Sequence, residues 1–334
     1  MCIALWTTVD PEYSLYVTRS CPGAPTNTRS ILADNRDEFL ARRAVDAAWH
    51  GQGETMVLSG RDVEAGGTWF GVARNGAFGV LTNYTEYAPS KPRADGQPFL
   101  SRGELVSKWL QEAGACDSPR DVMAPFLAAL DTRKDLYNGF NLLIGDVGAP
   151  GASDIHLGYL TNRGDDRFSG ETFPATEPVN GMSNSTLATP WAKVDEGASL
   201  MHALALRRTH SGDARQQYGA PSSCGMDVAE DVFRILSTTS GLVTKREEMQ
   251  KTVHVAPFEV PSSADHTRLE HPPANAGRVG WYGTRTGTVL LVTREAPRRA
   301  TFVERDMYTL DSAGRPQRAK GPAHERRYEW ALDR

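Results

Sequence analysis

The sequence predicts an α+β protein in which helices pack outside two β-sheets within one domain. Short apolar runs bounded by Gly, Pro, Asn and Asp indicate several strands in the first part of the chain. Two amphipathic helical stretches follow, and strands and helices then alternate towards the C-terminal region. Because sheets and helices each bury one apolar face, this order favours helices that cover two stacked sheets.

The strands expected in the first part lie between clear turn signals. Asn75-Gly76 is a strong hairpin signal, because both residues tolerate the positive φ angles that a tight turn needs. The strands predicted in this part are residues 2–6, 15–17, 31–33, 70–73 and 78–82.

Helix signals are found at four places in the remaining sequence. The first helix begins near Ser101, where Glu104 three residues later completes a capping-box pattern. The second follows Ser118-Pro119, a pair typical of helix N-termini. Further helices are predicted at about 189–207 and 226–237, strands at 141–144, 155–160, 288–292 and 301–304, and polar loops at 209–224 and 261–277.

Composition and charge exclude several classes of protein. Apolar residues make up 40% and charged residues 23% of the 334 residues, which is ordinary globular usage. The net charge of −4 offers no basic field for nucleic acid, and no apolar run is long enough for a membrane span. The start of the chain lacks a signal-peptide pattern, and the four scattered cysteines have neither metal-binding nor disulfide spacing. We therefore expect a cytoplasmic protein without a metal ion.

Cys2 directly follows the initiator methionine, and this position gives it a possible chemical role. If Met1 is removed, one carbon carries both a thiol, with an ordinary pKa of about 8.5, and an α-amine, with one of about 7.7–8.0. Such an amine is a recognised activator of a side-chain nucleophile. The alternative is an ordinary buried thiol, since free cysteine is among the most buried residue types.

Other polar residues lie at the ends of predicted strands. The run Asp34-Asn35-Arg36-Asp37-Glu38 follows the predicted strand 31–33, and its charges must be solvated or satisfy one another. Asn83 and Asn184 lie in short polar stretches, and Arg285 precedes an apolar strand. Taken alone, each of these residues also fits an ordinary turn or surface position.

Taken together, the motifs of this chain resemble the NRDE family, which is the transport and Golgi organization protein 2 family. They occur in the same order over nearly the whole sequence. They are Met-Cys-Ile at the start, Asn-Arg-Asp-Glu-Phe at 35–39, Leu-Ser-Gly at 58–60, Gly-Gly-Thr-Trp at 66–69, Leu-Thr-Asn-Tyr at 81–84, Arg-Gly-Glu-Leu-Val at 102–106, Tyr-Asn-Gly-Phe-Asn-Leu at 137–142, Gly-Met-Ser-Asn at 181–184, Thr-Pro-Trp at 189–191, Tyr-Gly-Thr-Arg-Thr at 282–286, Phe-Val-Glu-Arg at 302–305 and Tyr-Glu-Trp at 328–330.

This resemblance implies a four-layer αββα sandwich of the N-terminal nucleophile hydrolase type, formed by residues 1–334 as one domain. It also implies a polar site. Cys2 would be the nucleophile, Arg36 and Asp37 would hold its thiol and amine, and Asn83 and Asn184 would contact an oxyanion and the substrate. The residues of this implied site are Cys2, Arg36, Asp37, Asn83, Asn184 and Arg285.

The function expected from these residues is that of a hydrolase or acyltransferase. It would act on a small-molecule substrate with an amide bond, or a thioester, through an acyl-Cys2 intermediate and without an organic cofactor. The alternatives are a carrier of haem or acyl-lipid and a protein associated with membrane traffic. Glu38 has no assigned role, and polar insertions are expected near 18–28, 205–225 and 261–277.

Overall fold

A computed structural model describes residues 2–8, 28–86, 93, 95–147, 155–175, 179–215, 227–260, 280–293 and 297–332. In chain order the strands are β1 (Ile3–Thr8), β2 (Thr28–Phe39), β3 (Ala44–His50), β4 (Val57–Asp62), β5 (Phe70–Ala73), β6 (Ala77–Asn83), β7 (Phe140–Asp146), β8 (His156–Thr161), β9 (Thr172–Pro174), β10 (Val179–Met182), β11 (Phe258–Val260), β12 (Gly280–Thr293), β13 (Arg299–Asp306), β14 (Tyr308–Leu310), β15 (Pro316–Arg318) and β16 (Glu325–Ala331). The α-helices are α1 (Gly103–Gly114), α2 (Pro119–Asp131), α3 (Ala192–Arg215) and α4 (Asp227–Leu236).

Two seven-stranded antiparallel sheets form the centre of the fold. Sheet A has the strand order β10-β1-β2-β12-β13-β16, with β11 paired to β12. Sheet B follows chain order from β3 to β9. The first strand of the chain is therefore an inner strand of sheet A, with β10 on one side and β2 on the other.

Apolar cores lie between successive layers. The core between the sheets contains Trp6 and Leu32 from sheet A and Phe70 and Leu143 from sheet B. On the outer face of sheet B, α1 and α2 bury their apolar sides. On the outer face of sheet A, α3 and α4 do the same. The chain thus forms the predicted four-layer αββα sandwich.

Several local predictions are confirmed. The hairpin at Asn75-Gly76 joins β5 to β6, with Gly76 at a φ of 95°. The second predicted helix begins at Pro119 as expected. The first helix begins at Gly103 without the predicted capping box, because its N-cap residue is Arg102 and not Ser101. Ser101 Oγ donates to the carbonyl of Gly66 (3.3 Å).

The prediction that the strand ends at residue 33 is wrong. The strand β2 continues through the charged run to Phe39, and β12 pairs with it along that length. Because the sheet satisfies the backbone groups of the charged residues, they need no turn. Arg285 likewise lies inside β12 and does not precede a strand.

The predicted loop at 209–224 is also partly wrong. The helix α3 continues to Arg215, because no proline interrupts the hydrogen-bonded backbone after Ala192. The predicted strand at 15–17 and the insertion at 261–277 lie outside the described residues. The same holds for residues 18–27 of the insertion near 18–28 and for residues 216–225 of the one near 205–225.

Candidate active site

The pleat of β1 places Cys2 on the side of sheet A that faces sheet B. Ile3 and Leu5 point to the core beneath α3 and α4, whereas Ala4 and Trp6 point to the core between the sheets. Since side chains alternate along a strand, Cys2 belongs to the second set. It is half-buried, at the end of an otherwise buried strand.

Residues that follow β10 hold the main chain of Cys2. The main-chain nitrogen of Cys2 donates to Asn184 Oδ1 at 2.6 Å, and Ser183 Oγ donates to the carbonyl of Cys2, also at 2.6 Å. Both partner residues are buried. The oxygen of the Asn184 amide is thus directed at the Cys2 nitrogen, and its Nδ2 is the atom that could donate to a substrate.

A buried polar network fixes these two residues against sheet B. Thr82 Oγ1 and Asn141 Nδ2 both donate to the carbonyl of Ser183, at 2.6 and 3.1 Å. Tyr159 Oη in turn donates to Asn141 Oδ1 at 2.8 Å. The network links the two sheets directly beside Cys2, so the position of the Cys2 main chain depends on both.

Asp37 is buried and tightly held on the neighbouring strand β2. Its Oδ1 accepts a hydrogen bond from Thr284 Oγ1 at 2.6 Å, and its Oδ2 lies 3.4 Å from Lys193 Nζ. Tyr282 Oη donates to the main-chain oxygen of Asp37 at 2.7 Å. The carboxylate is therefore satisfied inside the protein and keeps a defined orientation.

The thiol of Cys2 is a neutral group at neutral pH. Burial raises its pKa to about 11, and the charges of Asp34 and Asp37 add to the rise. In the chain that retains Met1, the positive charge of the Met1 amine and a hydrogen bond from the main-chain N–H of Asp37 act in the opposite direction. A nucleophilic role of Cys2 consequently requires a nearby base to take the thiol proton.

Asp34 is a second buried carboxyl group on the Cys2 side of sheet A. It pairs with Ala4 across the β1–β2 ladder, one position deeper than Cys2 on the same face. Its side chain is 2% exposed, and its Oδ2 has no hydrogen-bond partner. Burial raises the pKa of Asp34 well above its ordinary value, Asp37 raises it further, and Arg36 opposes the rise.

Arg36 points towards sheet B. Its guanidinium group lies 4.0 Å from the centre of the Trp69 ring and 3.7 Å from Asp62 Oδ2. Its buried Nη1 has no hydrogen-bond partner. Trp69 follows the turn at Gly67, whose φ is 75° and where a Cβ would overlap the main chain of Gly103. Arg36 thus lies on the face of sheet A that also carries Cys2, and its neighbours there are the carboxylate of Asp62 and the indole of Trp69.

Arg285 lies near Arg36, on the neighbouring strand β12 of sheet A. It is half-buried, and its Nη1 donates to the main-chain oxygen of Arg42. Burial lowers the pKa of Arg285, and the nearby charge of Arg36 lowers it further. Two guanidinium groups therefore lie close together here. The nearby charge of Glu38 acts in the opposite direction and raises the pKa of Arg285.

Asn83 is not brought to the thiol in the same way. Leu81 of β6 contributes to the core beneath α1, so the pleat sends Asn83 to that side and Thr82 to the Cys2 side. The side chain of Asn83 is exposed. The main-chain N–H of Thr85 nevertheless donates to the carbonyl of Asn184 at 2.8 Å, so the segment after β6 passes the site. The predicted oxyanion role of Asn83 stays a prediction.

Sequence reasoning missed three residues of this site. In the sequence, Lys193 lies near the start of a predicted helix, Ser183 belongs to a family motif, and Asp34 is the first residue of a charged run. Their hydrophilic character gave no sign of burial. Among the described residues, no three His, Cys, Asp or Glu side chains are grouped closely enough to hold a metal ion.

The four layers define an αββα sandwich, and Cys2 lies at the start of an inner strand of sheet A. The chain belongs to the Transport and Golgi organisation 2 family, whose profile matches residues 1–309. The family predicted from the sequence motifs is thereby confirmed.

Relatives of the chain carry the same family name. The mouse Transport and Golgi organization 2 homolog is 33% identical over 289 residues, which cover 85% of this chain and 89% of the mouse protein. The Bos taurus homolog is 33% identical over 305 residues, which cover 90% of this chain and 93% of the bovine protein.

Similar solved structures include two hydrolytic enzymes. A conjugated bile acid hydrolase from Clostridium perfringens has a TM-score of 0.40 and 9% identity, covering 100% of this chain and 98% of that one. A penicillin V acylase from Agrobacterium tumefaciens has a TM-score of 0.34 and 12% identity, covering 93% of this chain and 86% of that one. In the part of this chain that the structure describes, none of the helices is long and apolar enough to cross a membrane.

Proposed function

We propose that this protein is an N-terminal cysteine hydrolase or acyltransferase that forms an acyl-Cys2 intermediate from a small-molecule amide or thioester. The observation that carries this proposal is the 2.6 Å contact between the Cys2 nitrogen and Asn184 Oδ1. Removal of Met1 turns that nitrogen into a free amine that is already held beside the thiol. The raised pKa of the thiol, caused chiefly by burial, makes such a base necessary.

The first step transfers the thiol proton of Cys2 to its own α-amine, directly or through one water molecule. The sulfur then forms a bond with the substrate carbonyl carbon, and the carbonyl oxygen becomes an oxyanion. When this oxyanion collapses, the carbon–nitrogen bond breaks and the new ammonium gives its proton to the leaving amine. A thioester substrate would lose a thiol at the same point.

The second step transfers the acyl group from Cys2 to water or to another amine. The α-amine takes a proton from the attacking molecule, and collapse of the second oxyanion releases the product and the thiol. Both oxyanions need a donor, and Asn184 Nδ2 is suited to this role because its Oδ1 already binds the amine. One such donor typically contributes about 3–4 kcal/mol to the transition state.

Asp37 supports the ammonium form of the amine in this scheme. Its carboxylate is kept in place by Thr284 and Lys193, and its main-chain N–H reaches the thiol. In this scheme the positive charge of Arg36 would favour the thiolate, and the half-buried Arg285 would contact a polar group of the substrate. The scattered cysteines agree with action in a reducing compartment such as the cytoplasm.

Trapping of the acyl-enzyme tests this proposal. The processed protein is incubated with a library of N-acyl amines and acyl thioesters, and the mass added to the N-terminal peptide is measured. An acyl group on Cys2, absent from Cys2→Ala with the same melting temperature, is the expected result. If intact mass shows Met1 retained on the native protein, the amine cannot be the base.

A carrier of haem or acyl-lipid is the alternative function, and the family name also points to transport. A carrier would bind its ligand equally well in Cys2→Ala and would show no turnover. Tight binding of haem or acyl chains by the variant, without acylation of the wild-type protein, would favour this alternative.

A further inference from the structure

Lys193 is a buried lysine in the first turn of α3, where a positive charge is unfavourable. Its side chain is 0% exposed, as is that of its partner Asp37. The N-terminus of a helix carries partial positive charge, and a buried ion pair contributes less to stability than apolar residues of similar size. Stability alone therefore does not explain a lysine in this place.

The contacts of Lys193 lead to the nucleophile through one residue. Lys193 Nζ lies 3.4 Å from Asp37 Oδ2, while Thr284 Oγ1 holds the other carboxylate oxygen at 2.6 Å. The main-chain N–H of Asp37 in turn reaches the thiol of Cys2. A change at Lys193 would thus be felt at Cys2 through Asp37.

The segment 183–193 also surrounds Cys2 on two sides. At its beginning, Ser183 and Asn184 bind the main chain of Cys2 next to β10. At its end, Lys193 binds Asp37 on β2, the strand on the other side of β1. One short stretch of chain therefore connects both neighbours of the nucleophile.

We propose that Lys193 is a positioning residue for Cys2, which holds the side chain of Asp37 through their ion pair and fixes Asp37 beside the nucleophile. This inference rests on the proposed function, in which ionised Asp37 stabilises the ammonium group formed on Cys2. In this proposal Lys193 acts through Asp37 and not directly on the substrate or the thiol.

The pair also predicts what happens when one partner is removed. Neither side chain can keep its charge alone at this depth, because an isolated buried ion loses its hydration without compensation. Both single variants and the double variant Lys193→Met/Asp37→Asn thus have an uncharged pair.

Alkylation of Cys2 measures the effect without any substrate. The rate of carbamidomethylation of Cys2 by iodoacetamide is followed by mass spectrometry between about pH 6 and 9. After burial, the charge of Asp37 is among the causes that raise the pKa of Cys2, so its loss should move the profile to lower pH. All three variants should show the same displacement, whereas Lys108→Met, which removes an exposed ion pair with Glu104 (2.8 Å), should show none.

The other titratable groups near the pair do not confuse this measurement. Burial lowers the pKa of His254 to about 4 and raises that of Tyr282 well above its ordinary value, so neither changes charge between pH 6 and 9. The charge of Asp37 raises the pKa of Asp34 and that of Lys193 lowers it, so the same comparison is repeated in an Asp34→Asn background, in which this coupled carboxyl is absent. Arg36 keeps its charge throughout.

Acylation of Cys2 supplies the second measurement. Each single variant should acylate about ten- to a hundredfold more slowly than the wild-type protein, and the double variant should be no slower than Asp37→Asn. A thiol that alkylates at lower pH but acylates more slowly is not expected from a purely structural role. If the wild-type protein forms no acyl-enzyme, the proposed function fails, while the alkylation profiles still decide the role of Lys193.

Three outcomes would overturn the proposal. An unchanged alkylation profile in Lys193→Met, with a lower melting temperature, would make Lys193 structural. A displacement to higher pH would mean that Lys193 acts on the thiol directly. If Lys193→Met does not fold, it is replaced by the double variant Lys193→Met/Asp37→Asn, which carries no charge at either position. An alkylation profile of the double variant that differs from that of Asp37→Asn then overturns the proposal.

Discussion

Replacing Asp34 with Asn should change how the stability of this protein depends on pH. Burial raises the pKa of Asp34 well above its ordinary value, Asp37 adds to the rise, and Arg36, Lys193 and Glu304 act with smaller effects. The Oδ2 atom is buried without a hydrogen-bond partner. The folded protein therefore holds this carboxyl as a neutral acid up to a higher pH than the unfolded chain does.

The sign of the effect follows from proton binding. A raised folded-state pKa means that the folded protein binds more protons than the unfolded chain, so the free energy of unfolding falls as pH rises. The free energy of unfolding begins to fall at about pH 3.9, the ordinary pKa of Asp. It falls by about 1.4 kcal/mol per pH unit until the folded-state pKa of Asp34 is reached. Asn does not titrate. Between about pH 4.5 and 7.5, the free energy of unfolding of Asp34→Asn should therefore rise relative to that of the wild-type protein.

Urea unfolding at these two pH values measures the change. The ΔΔG of unfolding caused by Asp34→Asn is measured at each pH, and only the difference between these two values is used. The pH-independent cost of placing an amide beside Trp6 and Phe70 then cancels. Asp62→Asn is the control. Burial acts to raise the pKa of Asp62, but the hydrogen bond from Arg42 and nearby positive charges bring it below its ordinary value. Asp62 is thus ionised at both pH values, and the ΔΔG of its variant should not change between them.

A pH-independent ΔΔG for Asp34→Asn would refute the reasoning. It would mean that Asp34 is ionised in the folded protein and has a partner that stabilises the charge. Infrared spectroscopy provides an independent measurement, since the band of a protonated carboxyl group at neutral pH should disappear in Asp34→Asn.

Three further predictions concern the reaction at Cys2. An uncleaved N-terminal tag should prevent acylation as completely as Cys2→Ala does, and equal acylation of tagged and processed protein would exclude the α-amine as base. Asp37→Asn should lower kcat/KM more than Glu38→Gln, by about ten- to a hundredfold, because a charge-assisted partner of the ammonium is lost. An inactive but stable Glu38 variant beside an active Asp37 variant would assign the role to the other carboxylate. Asn184→Ala should slow acylation by about a hundredfold or more, as loss of an oxyanion donor does. Asn83→Ala should have a smaller effect, and equal losses would place both amides at the oxyanion.

Much of the fold could be predicted from local patterns in the sequence. The hairpin at Asn75-Gly76 and the helix that starts at Pro119 both depend on the conformational preferences of a few adjacent residues. The family motifs, which occur in order along the chain, then identified the αββα architecture. Where these local signals conflicted with pairing to a distant strand, as in the charged run before Phe39, the sheet decided the structure.

Part of the site was also determined by the sequence. Cys2 could be singled out because its proposed role depends on its position in the chain and not on the fold. Asp37 and Asn184 could be named from motifs, and the structure places both within the surroundings of Cys2. The sequence did not show that Arg36 contacts Asp62 and Trp69, because those residues come from the other sheet.

Only the tertiary structure determined which hydrophilic residues are buried. Lys193 and Asp37 are 156 residues apart in the chain, and their ion pair exists because α3 packs across the strands that flank Cys2. In the sequence, Asp34 stands beside polar and charged residues, as a solvated turn residue would. In the structure it is buried and faces the core between the sheets. The charge state and the partner of such a group depend on the dielectric and the side chains around it, and these are properties of long-range packing.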